Sequence, residues 1–328
     1  MQNKFDVLGI GNAIVDILVQ VDDDFLKSEN IAKSGMHLVD AKTSAALYEK
    51  LGQAVECSGG SAGNTIAGLA SLGSDVAYIG KVHGDQLGTV FRHDVKSLGV
   101  TFDTSPDSDG QPTATSLVMV TPDAERTMCT FLGACVNLTE DDIDEDMVAN
   151  SAITYMEGYL WDPENAKAAF RKAIKVAHKA DQLTSLSLSD PFCVERHQEE
   201  FLGLVEHNID ILFANEDEIK KLYDTDDFDK AAREVQKHCA ITAITRGAEG
   251  CVIVSRDDII AVNGRSVNNL VDTTGAGDLF AAGFLHGLTK GLDLATCGRI
   301  GNLTASEVIT HMGARPDVNL RDYVKENL

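Results

Sequence analysis

A three-layer α/β/α fold with a mainly parallel central sheet is predicted by the rhythm of the second half of the chain. From about residue 150, strand-like apolar runs at 153–156, 183–188, 209–213, 240–245 and 251–255 alternate with helical patterns at 164–179, 194–205, 216–222 and 230–237. Such alternation puts parallel strands in the middle and helices on both faces. The first third reads differently. Short β-type runs at 7–10, 14–21, 35–39, 76–79, 113–120 and 126–132 lie among glycine-rich turns, with helical patterns at 41–51, 62–72 and 84–98. The runs at 14–21, 35–39 and within 101–132 do not fit the alternation. They are expected to form a small β-sheet lid, drawn from segments of about 12–40 and 101–132, on a single domain spanning 1–328.

Hydrophobic content of 44% is ample for a sizeable core, and no stretch has the apolar length of a bilayer crossing. The first residues run straight into a strand without a basic and apolar leader, so a cytoplasmic protein with no membrane partner is expected. With 28 Lys and Arg against 51 Asp and Glu the net charge is −23, and the cations are scattered rather than gathered in a stripe. That argues against a nucleic-acid partner. An anionic ligand must then be held by clustered N–H groups or by a metal ion. The seven cysteines, at 57, 129, 135, 193, 239, 251 and 297, form no Cys-x-x-Cys pair, which fits reduced, buried thiols. Acidic clusters at 139–146 and 224–229 read as solvated helix starts, where carboxylates meet the positive end of the dipole.

The stretch with the most chemistry is Asp272-Thr-Thr-Gly-Ala-Gly-Asp278, followed by an apolar helical run. Gly275, Ala276 and Gly277 leave little side chain to block an anion, and the backbone N–H groups of a helix start would face it. Asp278 would reach the hydroxyl that attacks that anion, the arrangement phosphoryl transfer requires. Cys57-Ser-Gly-Gly-Ser-Ala-Gly-Asn64 opens a second helix, and Asn64 can both donate to and accept from a hydroxyl. Gly9-Ile-Gly-Asn-Ala-Ile-Val-Asp16 is a glycine turn after a strand. Ile14 replaces the third glycine of the dinucleotide fingerprint, so a second strand is expected there, with Asp16 at the base of the lid. Asn215 and Glu218 follow a buried-type strand and either orient water on Mg²⁺ or form a capping box. Thr245-Arg-Gly-Ala-Glu-Gly250 offers a hydroxyl, N–H groups and the Arg246 guanidinium to phosphate oxygens.

In this order and spacing these residues resemble the ribokinase-like (PfkB) family of sugar and nucleoside kinases, and the resemblance covers nearly the whole chain. It implies a ribokinase-like fold and an ATP- and Mg²⁺-dependent kinase. By resemblance Asp278 is the base and Gly275 to Gly277 the anion hole. Asp16, Gly60 and Asn64 match positions that hold substrate hydroxyls, with Asn12 and Gly59 beside them in the same turns. Asn215 and Glu218 match the Mg²⁺-water shell; Thr245, Gly247 and Gly250, joined by Asn215 and Asn302, match the ATP site. Asp272 and Thr274 match a K⁺ site, to which the segment ending at Gly313 contributes. Arg126 is expected to share the phosphoryl charge. No Walker lysine occurs, so N–H groups and magnesium would carry that load.

The acceptor is suggested by three stretches closer to the family branch that acts on adenosine: the turn at 9–16, the segment 125–134 and Glu157-Gly-Tyr-Leu160. Met128, Tyr159 and Leu160 stand where that branch encloses the base. Adenosine 5′-OH is the expected acceptor, with ribose, fructose or 2-keto-3-deoxygluconate as the alternative. The substrate turn itself is closer to sugar kinases. A monomer or a homodimer is expected.

Overall fold

The computed structural model describes residues 3–123 and 125–328; Met1, Gln2 and Ala124, the last within the expected lid segment, lie outside the described residues. In chain order the strands are β1 (Phe5–Ile10), β2 (Ile14–Gln20), β3 (Gly35–Leu38), β4 (Val55–Ser58), β5 (Val76–Ile79), β6 (Ala114–Val120), β7 (Arg126–Phe131), β8 (Ser151–Glu157), β9 (Leu183–Ser187), β10 (Ile211–Asn215), β11 (Ile241–Thr245), β12 (Gly250–Ser255) and β13 (Ile259–Asn263). The helices are α1 (Asp23–Ser28), α2 (Ala41–Tyr48), α3 (Ser61–Leu72), α4 (Gln86–Ser97), α5 (Glu145–Ala149), α6 (Glu164–Lys179), α7 (Pro191–His207), α8 (Glu216–Leu222), α9 (Phe228–Val235), α10 (Ala276–Thr289), α11 (Leu294–Val308) and α12 (Leu320–Asn327).

Eight strands form the main sheet in the order β13-β12-β11-β10-β9-β8-β1-β5. From β5 to β11 every pairing is parallel, and β12 and β13 add an antiparallel edge. Successive residues of β1 feed two cores: Val7 packs with Ile66, Phe213, Leu279 and Phe284 on one face, Leu8 with Phe170, Leu186 and Leu212 on the other. Burial on both faces is why these strands read as continuous apolar runs. This is the three-layer ribokinase-like architecture.

The irregular runs of the first third build a separate five-stranded sheet, β3-β7-β6-β2-β4. Its strand β4 comes from outside the expected lid segments, and α2 packs on β6 and β7. Conversely, Thr101 and Asp107, inside those segments, bridge to Ala77 and His83 beside the main sheet. The acidic clusters do start helices: Asp144 accepts from Met147 N at 2.9 Å and Asp227 from Lys230 N at 3.1 Å.

Two helices place the site. A Cβ on Gly68 of α3 would meet Leu279 Cδ1 at 2.6 Å and Ala282 Cβ at 2.8 Å on α10, so α3 can lie against α10 only because that residue is glycine. The contact brings the N-termini of both helices to the carboxyl edge of the main sheet. Helix α11, absent from the expected pattern, contains Gly298 and Gly301, which weaken its helical signal. Packing decides instead: the Gly301 face touches Phe280, and Gly298 lies against Ile253 and Val262.

Candidate active site

A cleft of about 450 Å³ opens where β1, β8, β9, β10 and β11 end, beneath one face of the small sheet. Parallel strands share a carboxyl edge, so residues distant in sequence meet there. Gly275, Ala276, Gly277 and Asp278 all line it. The helix starts at Ala276, two residues before Asp278, with Gly275 as its N-cap at φ 76°. A side chain at Gly275 would adopt a left-handed backbone and place its Cβ 2.7 Å from Ala314 Cβ. Gly277 has nothing within 4 Å of a Cβ position, leaving the helix N-terminus open to an anion.

Asp278 is held by the other helix start: Ser61 Oγ donates to Oδ1 at 2.7 Å and Asn64 Nδ2 to Oδ2 at 2.9 Å. Burial in the cleft raises the Asp278 pKa above the usual carboxylate range, with Ser61, Asn64, Arg315 and Arg126 pulling the other way. Asn64 is 4% exposed, and its Oδ1 has no partner among the described residues. That buried acceptor is fit for an incoming hydroxyl.

Asp16 on β2 faces the same space, and a Cβ on Gly59 would fall 2.1 Å from its Oδ2. Desolvation pushes Asp16 up to about 7, with Arg315 opposing. Gly60 caps α3 and Asn12 follows β1; both line the cleft. Glu157 lies between them, its Oε1 accepting from Asn12 N at 2.9 Å and its Oε2 from Ala62 N at 2.6 Å. Burial pushes Glu157 up to about 7 against those bonds. Ser61, Glu157 and Arg315 escape selection as site residues in the sequence. The first two lie within stretches that do stand out; Arg315 carries no spacing signal at all.

On the nucleotide side the expected residues divide. Asn215, Glu218 and Thr245 line the cleft. Asn215 and Glu218 do form a capping box, Asn215 Oδ1 accepting from Glu218 N at 2.8 Å and Glu218 Oε2 from Asn215 N at 2.9 Å. Burial first, and the neighbouring Asp190 and Asp217 after it, push Glu218 up to about 7. The Arg246 guanidinium is not free for phosphate: it donates to Glu216 at 2.8 Å and lies over the Phe228 ring. Gly247 sits in the turn after Thr245, outside the cleft lining. Gly250 is also outside it; a Cβ there would strike Val262 O at 2.2 Å, so strand pairing accounts for that glycine. Asn302 spends its amide on Asn263 O at 3.0 Å, beyond the cleft lining.

Asp272, 3% exposed, gathers the expected cation residues: Oδ1 accepts from Thr274 N at 2.9 Å and Oδ2 from Gly313 N at 2.9 Å. Arg126, on β7, donates to Thr274 Oγ1 and lines the cleft. Among the described residues no group of three or more His, Cys, Asp or Glu is arranged to hold a metal ion.

The roof is apolar. Met128 reaches the cleft as expected, joined by Ile14, Met36, Leu38 and Leu132. Met36 and Leu38 are 42% and 59% exposed, large apolar surface left uncovered at the mouth. Tyr159 lines the cleft, but Leu160 does not: it is fully buried in the second core with Trp161, which packs between Phe170 and Phe201. The 3₁₀ turn at Gly158–Trp161 turns those two residues under the sheet while leaving Tyr159 above it. No described helix is long and apolar enough to cross a membrane.

Comparison with known proteins agrees with this geometry. Residues 32–320 match the pfkB family of carbohydrate kinases. The fold superposes on the adenosine kinase of Sinorhizobium meliloti with a TM-score of 0.94 and 49% identity, over 99% of this chain and 100% of that one. A probable sugar kinase of Rhizobium etli matches with a TM-score of 0.94 and 47% identity, over 99% of both chains. A sugar kinase of Archaeoglobus fulgidus, itself uncharacterized, is 32% identical over 76% of this chain and 96% of its own length. Two facing helix starts, a carboxylate held between them and a match over most of its length make this chain a member of the PfkB family, a kinase that transfers phosphate to an alcohol group of a sugar or nucleoside.

Proposed function

We propose that the chain phosphorylates the 5′-OH of adenosine with ATP, giving AMP. The observation that carries this reading is the apolar patch on the small sheet. A sugar or keto-sugar acid would leave Met36, Leu38 and Met128 in water, whereas a purine face would cover them beside Tyr159. The 49% identity with an adenosine kinase supports it. Asp16 and the unpartnered Asn64 Oδ1 are suited to ribose hydroxyls.

In this mechanism Asp278 takes the proton of the attacking hydroxyl. The N–H groups of Gly275 to Gly277 and the Arg126 guanidinium receive the charge of the transferred phosphoryl group. Asn215 and Glu218 would hold Mg²⁺ through water, and a bound cation would favour ionised Glu218. The ion would supply charge neutralisation at the phosphates. Asp272, Thr274 and Gly313 are the residues for a K⁺ ion. The small sheet acts as a lid that excludes water when substrate is bound.

The test is an acceptor panel of adenosine, ribose, fructose and 2-keto-3-deoxygluconate with ATP, read as ADP formed. Adenosine should give the highest kcat/KM by a wide margin. Turnover confined to one of the sugars would overturn the adenosine reading and leave the kinase chemistry standing.

A further inference from the structure

Arg315 lies on the segment that follows α11, far from both glycine-rich turns in sequence, yet its guanidinium is committed to one of them. Nε and Nη2 donate to Ser58 O at 2.9 and 2.7 Å, Nη2 to Ser58 Oγ at 2.8 Å, and Nη1 to Gly63 O at 2.8 Å. The two carbonyls bracket Gly59 to Ala62, the turn that carries Ser61 and opens α3. From the other side Asp94 of α4 accepts from Ser58 N at 2.9 Å and Ser58 Oγ at 2.5 Å, so the turn is gripped between α4 and Arg315. The same short segment reaches the second turn: Gly313 N donates to Asp272, and Ala314 fills the space a Gly275 side chain would need.

We propose that Arg315 is a positioning residue: through Ser58 and Gly63 it fixes the acceptor turn against the anion turn, and so fixes Ser61 and Asn64 on Asp278. A planar fork suits two carbonyls and a hydroxyl in a way that an ammonium does not. No spacing announces it, because the contact exists only once α11 has packed on α10. The inference rests on the kinase assignment of Asp278, and its test has one arm that does not.

The test compares wild type with Arg315→Lys, Arg315→Met and Ser58→Ala. In steady-state kinetics Arg315→Lys should raise the acceptor KM about tenfold and lower kcat, with the ATP KM unchanged, the size expected when charge-assisted bonds are lost. Ser58→Ala, which removes one of the four Arg315 bonds together with the hydroxyl's bond to Asp94, should shift the acceptor KM less. A merely structural role would lower the active fraction and leave both KM values alone; that result overturns the proposal. The second arm is amide hydrogen exchange on the unliganded protein. Faster exchange in 58–64 with α6 and α9 unchanged supports it whatever the acceptor, and unchanged exchange in 58–64 overturns it. If Arg315→Met does not fold, the Lys and Ala variants carry both arms.

Discussion

At the floor of the cleft two carboxylates, Glu157 and Asp278, accept from Asn12 N and Ala62 N and from Ser61 Oγ and Asn64 Nδ2, all but the first on the start of α3; on the small sheet above, Met36, Leu38 and Met128 present apolar surface. Both floor carboxylates are partnered on each oxygen, and the Oδ1 of Asn64 beside them is left open. Of the apolar patch, Met36 and Leu38 are about half-exposed. The contrast separates two questions that a kinase must answer. Proton and phosphoryl transfer need groups fixed to fractions of an ångström, and packed helices supply that. Choice of acceptor needs surface that becomes buried only when the right molecule arrives.

The largest effect should come from the floor. Asp278→Asn should lower kcat by about a thousandfold, within the range general bases contribute, with acceptor binding nearly intact. Asn keeps the shape and one acceptor for Ser61, so thermal unfolding should move little. Near-wild-type turnover in a folded Asp278→Asn protein would remove the base from the mechanism. Gly275→Ala comes next, because it acts on backbone and packing together. A left-handed alanine costs about 1–2 kcal/mol, and its Cβ would press on Ala314. Both a lower Tm and a loss of kcat are expected; a stable, fully active Gly275→Ala enzyme would show that the turn does not need its observed conformation.

The floor was largely legible in the sequence and the roof only in part, for a physical reason. Anion turns demand small residues at fixed offsets, so Gly275 to Asp278 and Gly59 to Asn64 stand out in any context. The strands behind them are apolar on both faces and were placed to within two residues. Roof residues obey only the two-residue alternation of a strand, and Met36 and Leu38 look like any half-buried β positions. Leu160 and Trp161 show the opposite failure: neighbours of a true cleft residue, they are turned into the core by a 3₁₀ turn that composition does not announce. Gly250 and Asn302 belong to the same class, small or polar residues whose partners turned out to be β13 rather than a nucleotide.

The roof predicts a smaller and different effect. Met36→Ala combined with Leu38→Ala should raise the adenosine KM about tenfold, since burying such side chains is worth about 1.5–3 kcal/mol each and only part of that surface is covered by a base. Turnover at saturation and Tm should hold, because both side chains are exposed without ligand. Loss of kcat instead of KM would mean that the roof takes part in positioning, and the division between floor and roof would fail.

The smallest effect is a pH slope, and it has opposite signs for activity and for stability. Asp278 must be ionised to accept a proton and its pKa is raised, so kcat/KM should climb with pH through an acid limb above the ordinary carboxylate range. Stability should run the other way. Asp16, Glu157 and Glu218 are each pushed up to about 7, whereas in the unfolded chain such groups titrate near about 4. Between those values the native state holds more protons than the unfolded one, so stability falls as pH rises and the loss is complete above about 7. His286, whose pKa is lowered by burial, opposes this with a single group. The Tm of the unliganded protein should therefore be a few degrees higher at about pH 5.5 than at about pH 7.5. Asp16→Asn removes one of the three groups and should flatten that slope, while the Met36 and Leu38 changes should leave it untouched. A slope that survives Asp16→Asn unchanged would mean that the charge of Asp16 is already neutralised by Arg315 and Arg126, and the pH dependence would have to come from Glu157 and Glu218.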